Sequence, residues 1–235
     1  MVTLCVIPAR GGSKRIPRKN VRLFRGQPMI AWSIQAALAS GCFDQVVVST
    51  DDHEIAAVAQ ECGATVPFLR PVELADDFVG TTDVVVHAIE QLVPEDGGPS
   101  LVCCLYATAP FVRPEDLRSG HALWLAQEPS RPVFTAATYP FPIQRAFVIN
   151  ADGGAEMLQP DCYQMRSQDL AEAFHDAGQF YWADRTQWLG RPQFSRGTVP
   201  LILPRWRVQD VDTEEDWRQA ELLHQLLDDS DLGWS

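Results

Sequence analysis

Lysine is almost missing from this 235-residue chain: of 19 basic residues, only Lys14 and Lys19 are lysines. Bases are also outnumbered, since 31 acids leave a formal charge of −12. A general nucleic-acid binder needs the opposite balance, because phosphate neutralisation supplies most of that affinity. No apolar run approaches the roughly 20 residues of a membrane span, so no membrane partner is expected. Met1 to Pro8 is too short for a secretory h-region and leads straight into a basic loop. The six cysteines form no C-x-x-C, and the five histidines show no zinc-ligand spacing. Scattered thiols suit a reducing compartment better than a disulfide framework, and the expected location is the cytoplasm.

What is present is a strand–helix alternation. Leu4 to Ile7, Val46 to Val48, Leu101 to Leu105 and Val133 to Thr138 read as buried parallel strands. Pro28 to Ala39 reads as a helix stopped by Gly41. A second helix follows the candidate caps Asp51 and Asp52 and closes at Gly63. The pattern predicts an α/β fold with a mostly parallel, doubly wound sheet, and ligands bound beyond the carboxyl ends of its strands. The length fits one domain over 1–235. Between about 139 and 175 the periodicity breaks, which predicts an irregular extension, an arm or dimer element.

The basic residues are not spread evenly. Seven of the 19 lie between Arg10 and Arg25, and no acid precedes Asp44. Both lysines fall in this stretch, which follows a strand and carries the adjacent Gly11 and Gly12. Adjacent glycines let backbone N–H groups approach an anion, and lysine is a compact charge that can follow a phosphate. The spacing is neither G-x-x-x-x-G-K-[ST] nor G-x-G-x-x-G, so a P-loop and a dinucleotide fold both lose their main support. A polyphosphate cradle fits the cluster better than a solvated turn.

Asp210 and Asp212 stand one residue apart ahead of the last helix. In an extended stretch they would share a face about 6.6 Å apart, within reach of one cation. Mg²⁺ held by one or two carboxylates plus substrate phosphates is common in nucleotide chemistry. Helix capping is an equal reading on composition alone, since Thr213 and Asp216 form a T-x-x-D pattern.

The segment Arg10-Gly-Gly-Ser-Lys-Arg-Ile-Pro-Arg-Lys-Asn20 resembles the nucleotide-binding loop of the acylneuraminate cytidylyltransferases, the CMP-sialic acid synthetases. These enzymes join CTP to a nine-carbon keto-sugar acid and release pyrophosphate. Ser49-Thr-Asp51, Leu69-Arg-Pro-Val-Glu-Leu-Ala75 and Gln209-Asp-Val-Asp-Thr-Glu-Glu-Asp216 extend the resemblance over nearly the whole chain. It implies a Rossmann-like nucleotidyltransferase, a homodimer, and Mg²⁺ on Asp210 and Asp212. It further implies CTP held by Arg10, Gly11, Gly12, Ser13, Lys14, Lys19, Asn20, Arg70 and Thr81. Arg10, Lys19 and Asp212 are the implied catalytic groups.

The sugar pocket departs from the sialic acid pattern. Where those synthetases carry Leu-Gln-Pro-Thr-Ser-Pro, this chain has Leu105-Tyr-Ala-Thr-Ala-Pro110, so Tyr106 replaces a sugar-contacting glutamine. Tyr139 to Phe147, Arg166 to Leu170 and His175 to Trp182 resemble the pseudaminic acid branch of the family. Arg145 and Arg166 are the expected partners of the sugar carboxylate, with Tyr106 and Gln179 setting orientation. The alternatives are a legionaminate or N-acetylneuraminate synthetase and a catalytically silent nucleotide-binding module.

Overall fold

The computed structural model describes residues 2–76, 79–92, 101–192, 194 and 196–228. Its strands are β1 (Thr3–Pro8), β2 (Leu23–Phe24), β3 (Gln27–Pro28), β4 (Gln45–Ser49), β5 (Leu101–Leu105), β6 (Val133–Thr138), β7 (Phe147–Ile149), β8 (Ala155–Met157), β9 (Phe174–Asp184) and β10 (Val199–Ile202). Its helices are α1 (Met29–Ser40), α2 (His53–Glu61), α3 (Thr81–Leu92), α4 (Pro114–Leu125), α5 (Arg185–Leu189) and α6 (Glu214–Asp228). Six strands form one sheet in the order β10-β6-β9-β5-β1-β4. β9 alone runs antiparallel to its neighbours, so the sheet is mostly parallel.

Side chains alternate across the central strands, and each face acquires its own helices. Cys5, Ile7, Cys103 and Leu105 point to one face, where Ile30 and Ile34 of α1, Ile55 and Ala59 of α2 and Leu117 of α4 cover them. Leu4, Val6, Val102 and Cys104 point to the other, under Val85 and Ile89 of α3 and Trp188 of α5. This is the doubly wound arrangement expected from the apolar runs. All six cysteines are free thiols, and burial pushes those of Cys103 and Cys104 up.

The caps follow the sequence closely. Gly41 ends α1 in the left-handed region at φ 66°, a conformation in which only glycine avoids a Cβ clash. Asp52 caps α2, accepting from the N–H groups of Glu54 and Ile55. Asp51 does not cap it: its Oδ1 accepts from the Gly11 N–H at 3.0 Å instead. Asp216 closes the start of α6, accepting from the Thr213 N–H and hydroxyl, both at 2.8 Å. α6 then seats Trp217 and Ala220 against Ile16, Phe24 and Met29, fastening the C-terminal helix to the basic loop.

Residues 139–173 form short 3₁₀ turns around the β7–β8 hairpin, carrying exposed Phe141, Ile149 and Tyr163 at 79%, 73% and 66% accessibility. The segment carrying Asp210 and Asp212 is irregular rather than a strand, because it makes the turn into the Thr213–Asp216 cap.

Candidate active site

A cavity of about 580 Å³ opens beyond the carboxyl ends of β1 and β5, where open α/β sheets bind their ligands. Its volume is in the range of a nucleotide-sized ligand. Among the described residues, five cations line it (Arg10, Lys14, Arg15, Lys19 and Arg70) against the carboxylates Asp76 and Asp212. In a chain of −12, this excess of positive charge marks an anion site.

The loop between β1 and β2 is held from three sides. Arg18 grips Asp52 with two guanidinium nitrogens, at 2.5 and 3.0 Å, and also reaches Glu54. That pairing holds the Asp52 carboxyl down at about 2, the Arg18 bond being the main cause, and raises Arg18. Arg18 adopts φ 56°, a strained backbone for a residue with a side chain. The Asn20 side-chain amide donates to the Arg10 carbonyl at 2.9 Å, and the Asn20 backbone carbonyl accepts from Ile30 N–H in α1. Gly11 has no room for a side chain: an added Cβ would lie 2.7 Å from Asp52 Oδ2.

Lys19 crosses the cavity to the C-terminal segment. Its Nζ donates to the Val211 carbonyl at 2.7 Å and lies 3.3 Å from Asp212 Oδ1. Arg15 meets the other oxygen of Asp212 at 2.8 Å. The Asp210 carboxyl is pushed up, by desolvation first and then by the charge of Asp212. On the opposite wall Arg70 is 5% exposed, bonded to the Ser49 hydroxyl at 3.2 Å and to the Ser49 and Leu74 carbonyls. Burial lowers it to about 10, still protonated at neutral pH. Tyr106 closes the inner end, its hydroxyl 3.3 Å from Thr81 Oγ1, and burial pushes its phenol up.

Arg10, Ser13, Lys14, Lys19, Asn20, Arg70, Thr81, Tyr106 and Asp212 are thus brought together around one space. Asp210 is exposed beside it and does not line it. The Gly11 N–H faces Asp51 rather than the cavity, so what Gly11 contributes here is the absence of a Cβ. Gly12 has open space around its Cα. Gln179 is turned inward, its amide donating to the Arg207 carbonyl at 2.7 Å, because β9 bulges at this point. Arg145 and Arg166 lie on the arm, not on the cavity wall: Arg145 bonds the Met165 carbonyl and Arg166 pairs with Asp169 at 2.7 Å.

Arg15 escaped the residue-by-residue reading, although it sits inside the basic run. Its segment is a loop rather than a helix, so its spacing from Lys19 carries no signal that both reach one acid. Asp76 was hidden for a different reason, since its loop has no periodicity to place it.

Residues 4–131 match the family described as Cytidylyltransferase. The chain is 44% identical over 231 residues to the pseudaminic acid cytidylyltransferase of Campylobacter jejuni, covering 98% of this chain and 99% of that one. It is 35% identical over 230 residues to the CMP-N,N'-diacetyllegionaminic acid synthase of Legionella pneumophila, covering 96% and 97%. The solved structure of CMP:2-keto-3-deoxy-manno-octonic acid synthetase complexed with CTP superposes with a TM-score of 0.72 at 19% identity, over 97% of this chain and 100% of that one. The likeness in fold, the cationic cavity and the match in sequence lead to one conclusion: the chain belongs to the cytidylyltransferase family of nucleotidyltransferases.

Proposed function

We propose that the protein joins CTP to pseudaminic acid, giving CMP-pseudaminic acid and pyrophosphate. The observation that carries this reading is the pairing of a five-cation cavity with Asp212 across it, in a chain similar throughout to the Campylobacter enzyme. The anomeric hydroxyl of the sugar attacks the α-phosphorus of CTP, and pyrophosphate leaves. Such transfers depend on alignment and charge stabilisation rather than on a covalent side chain.

Arg10, Ser13, Lys14 and the Gly12 backbone hold the triphosphate. Asn20 keeps that loop in place, and Arg70 and Thr81 approach from the far wall. Lys19, already directed across the cavity, neutralises charge that grows on the phosphate during transfer.

The residues present suit Mg²⁺. Asp210 and Asp212 are oxygen donors two residues apart; after desolvation, the charge of Asp212 also pushes the Asp210 carboxyl up, a repulsion that a hard cation relieves. Two carboxylates leave the remaining positions to phosphate oxygens and water. When bound, the ion supplies charge neutralisation at the phosphates. Within the chain, Arg15 and Lys19 perform the matching task of fixing Asp212 at the cavity edge.

The exposed apolar residues of the arm support a homodimer, since apolar side chains left uncovered along one segment commonly mark an interface. Arg145 and Arg166 would reach a sugar carboxylate only if the arm of one copy lay over the cavity of the other. A cytoplasmic location is part of this reading, and CTP as substrate and six free thiols support it. No helix among the described residues is long and apolar enough to cross a membrane.

Steady-state kinetics on Lys19→Ala test the reading. Turnover should fall more than tenfold, the effect of losing one charge aimed at a transferring phosphate. Turnover near that of the parent would remove Lys19 from the mechanism.

A further inference from the structure

A second cavity, of about 260 Å³, adjoins the first and shares Thr81 and Tyr106 with it. Its walls are aromatic: Tyr106 and Tyr181 lie 5.5 Å apart between ring centroids, and Tyr181 and Phe194 lie 4.8 Å apart. Among the described residues lining this lobe, Asp176 is the one charged group.

Asp176 and Tyr181 are five residues apart in β9. In a regular strand they would point to opposite faces about 17 Å apart. Here the Tyr181 hydroxyl donates to the Asp176 carboxylate, with 2.9 and 2.8 Å to its two oxygens. The cause is a bulge. Phe134 of β6 pairs with Tyr181, whereas Ala136, two residues on, pairs with Asp176. The extra length of β9 is taken up through Gly178 at φ 59°, whose N–H donates to Asp176 Oδ1 at 2.8 Å. Bulges beside active sites re-aim side chains, and this one fixes a carboxylate at the mouth of the aromatic lobe.

We propose that Asp176, positioned by Tyr181 and the Gly178 N–H, is a specificity-determining residue that accepts a hydrogen bond from an N–H or O–H group on the substituents of the sugar acid. The proposal rests on the reading of the neighbouring cavity as a CTP:sugar-acid site. An ionised carboxylate only accepts, so it selects donors such as an acetamido N–H or a hydroxyl. It also repels the carboxylate of the substrate. The two cavities therefore sort the ends of the sugar: its acid group toward the cations of the larger space, its acylamino end toward Asp176. The aromatic walls supply apolar contact for acyl methyl groups.

The test measures KM for pseudaminic acid and for CTP in the parent, D176N, D176A and Y181F. D176A should raise the sugar KM at least tenfold, as expected for a lost hydrogen bond to a charged group. CTP KM should stay within twofold, which also reports an intact fold. D176N keeps an acceptor oxygen and the shape, so its sugar KM should fall between parent and D176A. Y181F should raise it less than D176A. A sugar KM in D176A within twofold of an active parent, or equal rises in both KM values, would overturn the assignment. A parent enzyme inactive on every sugar acid would instead overturn the underlying reading, and the assignment with it.

Discussion

At Gly11, Arg18 and Asp52 two residues of the loop between β1 and β2 meet the cap of α2 in one small volume, and the phosphate loop depends on them. A methyl group at Gly11 would press on the Asp52 carboxylate, which Arg18 holds by both oxygens. Gly11→Ala should therefore cost about 1–3 kcal/mol of stability and raise CTP KM, measurable by urea unfolding and kinetics on one variant. The Arg18 pairing has its own pH signature. Asp52 is depressed to about 2 in the folded chain from an ordinary value near 3.8. A depressed carboxyl stabilises above its unfolded value, and the benefit disappears as pH falls through the folded one. The difference in urea midpoint between the parent and Arg18→Met should be fullest above about pH 4 and shrink toward pH 2. A difference independent of pH over that window would show that the pair adds no linked stability.

Among the elements, β9 carries the most consequence. α4 packs on it through Gly120, where an added Cβ would lie 2.8 Å from Phe180 and 2.9 Å from Trp182. Gly120→Ala should lower Tm, at roughly 2–4 °C for each kcal/mol lost in a chain of this size, without changing either KM at a temperature where the protein stays folded. β1, β4 and β5 were legible in sequence because each carries a continuous apolar run buried on both faces, and β6 because Thr135 alone breaks its run from Val133 to Ala137. β9 was not, since Asp176 and Gly178 interrupt its pattern and its bulge shifts the period midway. The same bulge explains why Gln179 reads as a pocket residue by resemblance yet folds inward onto the Arg207 carbonyl. The basic loop was legible for the opposite reason: its charge segregation is visible without any knowledge of the fold. Arg15 needed the structure, because only the chain's path shows that it and Lys19 converge on Asp212.

The molecule as a whole sets a small positive site in a strongly negative chain. Attraction of CTP to five converging cations is screened by salt with a Debye length of about 8 Å at physiological ionic strength. CTP KM should therefore rise steadily between low and high salt, while a flat profile would argue against electrostatic capture. The arm gives the second molecular-scale expectation. Sedimentation should find a dimer, and Ile149→Asp, placing charge on an exposed apolar hairpin, should shift it toward monomer. A parent protein that sediments as a monomer at micromolar concentration would remove the arm's role. The central claim remains the chemistry between the two cavities. It is tested most directly by pyrophosphate release with CTP and Mg²⁺, offering pseudaminic, legionaminic and N-acetylneuraminic acids in parallel. The account predicts release with pseudaminic acid well above the other two. Release favouring another sugar acid would contradict the substrate assignment, and silence with all three would contradict the placement of catalysis on Lys19, Asp210 and Asp212.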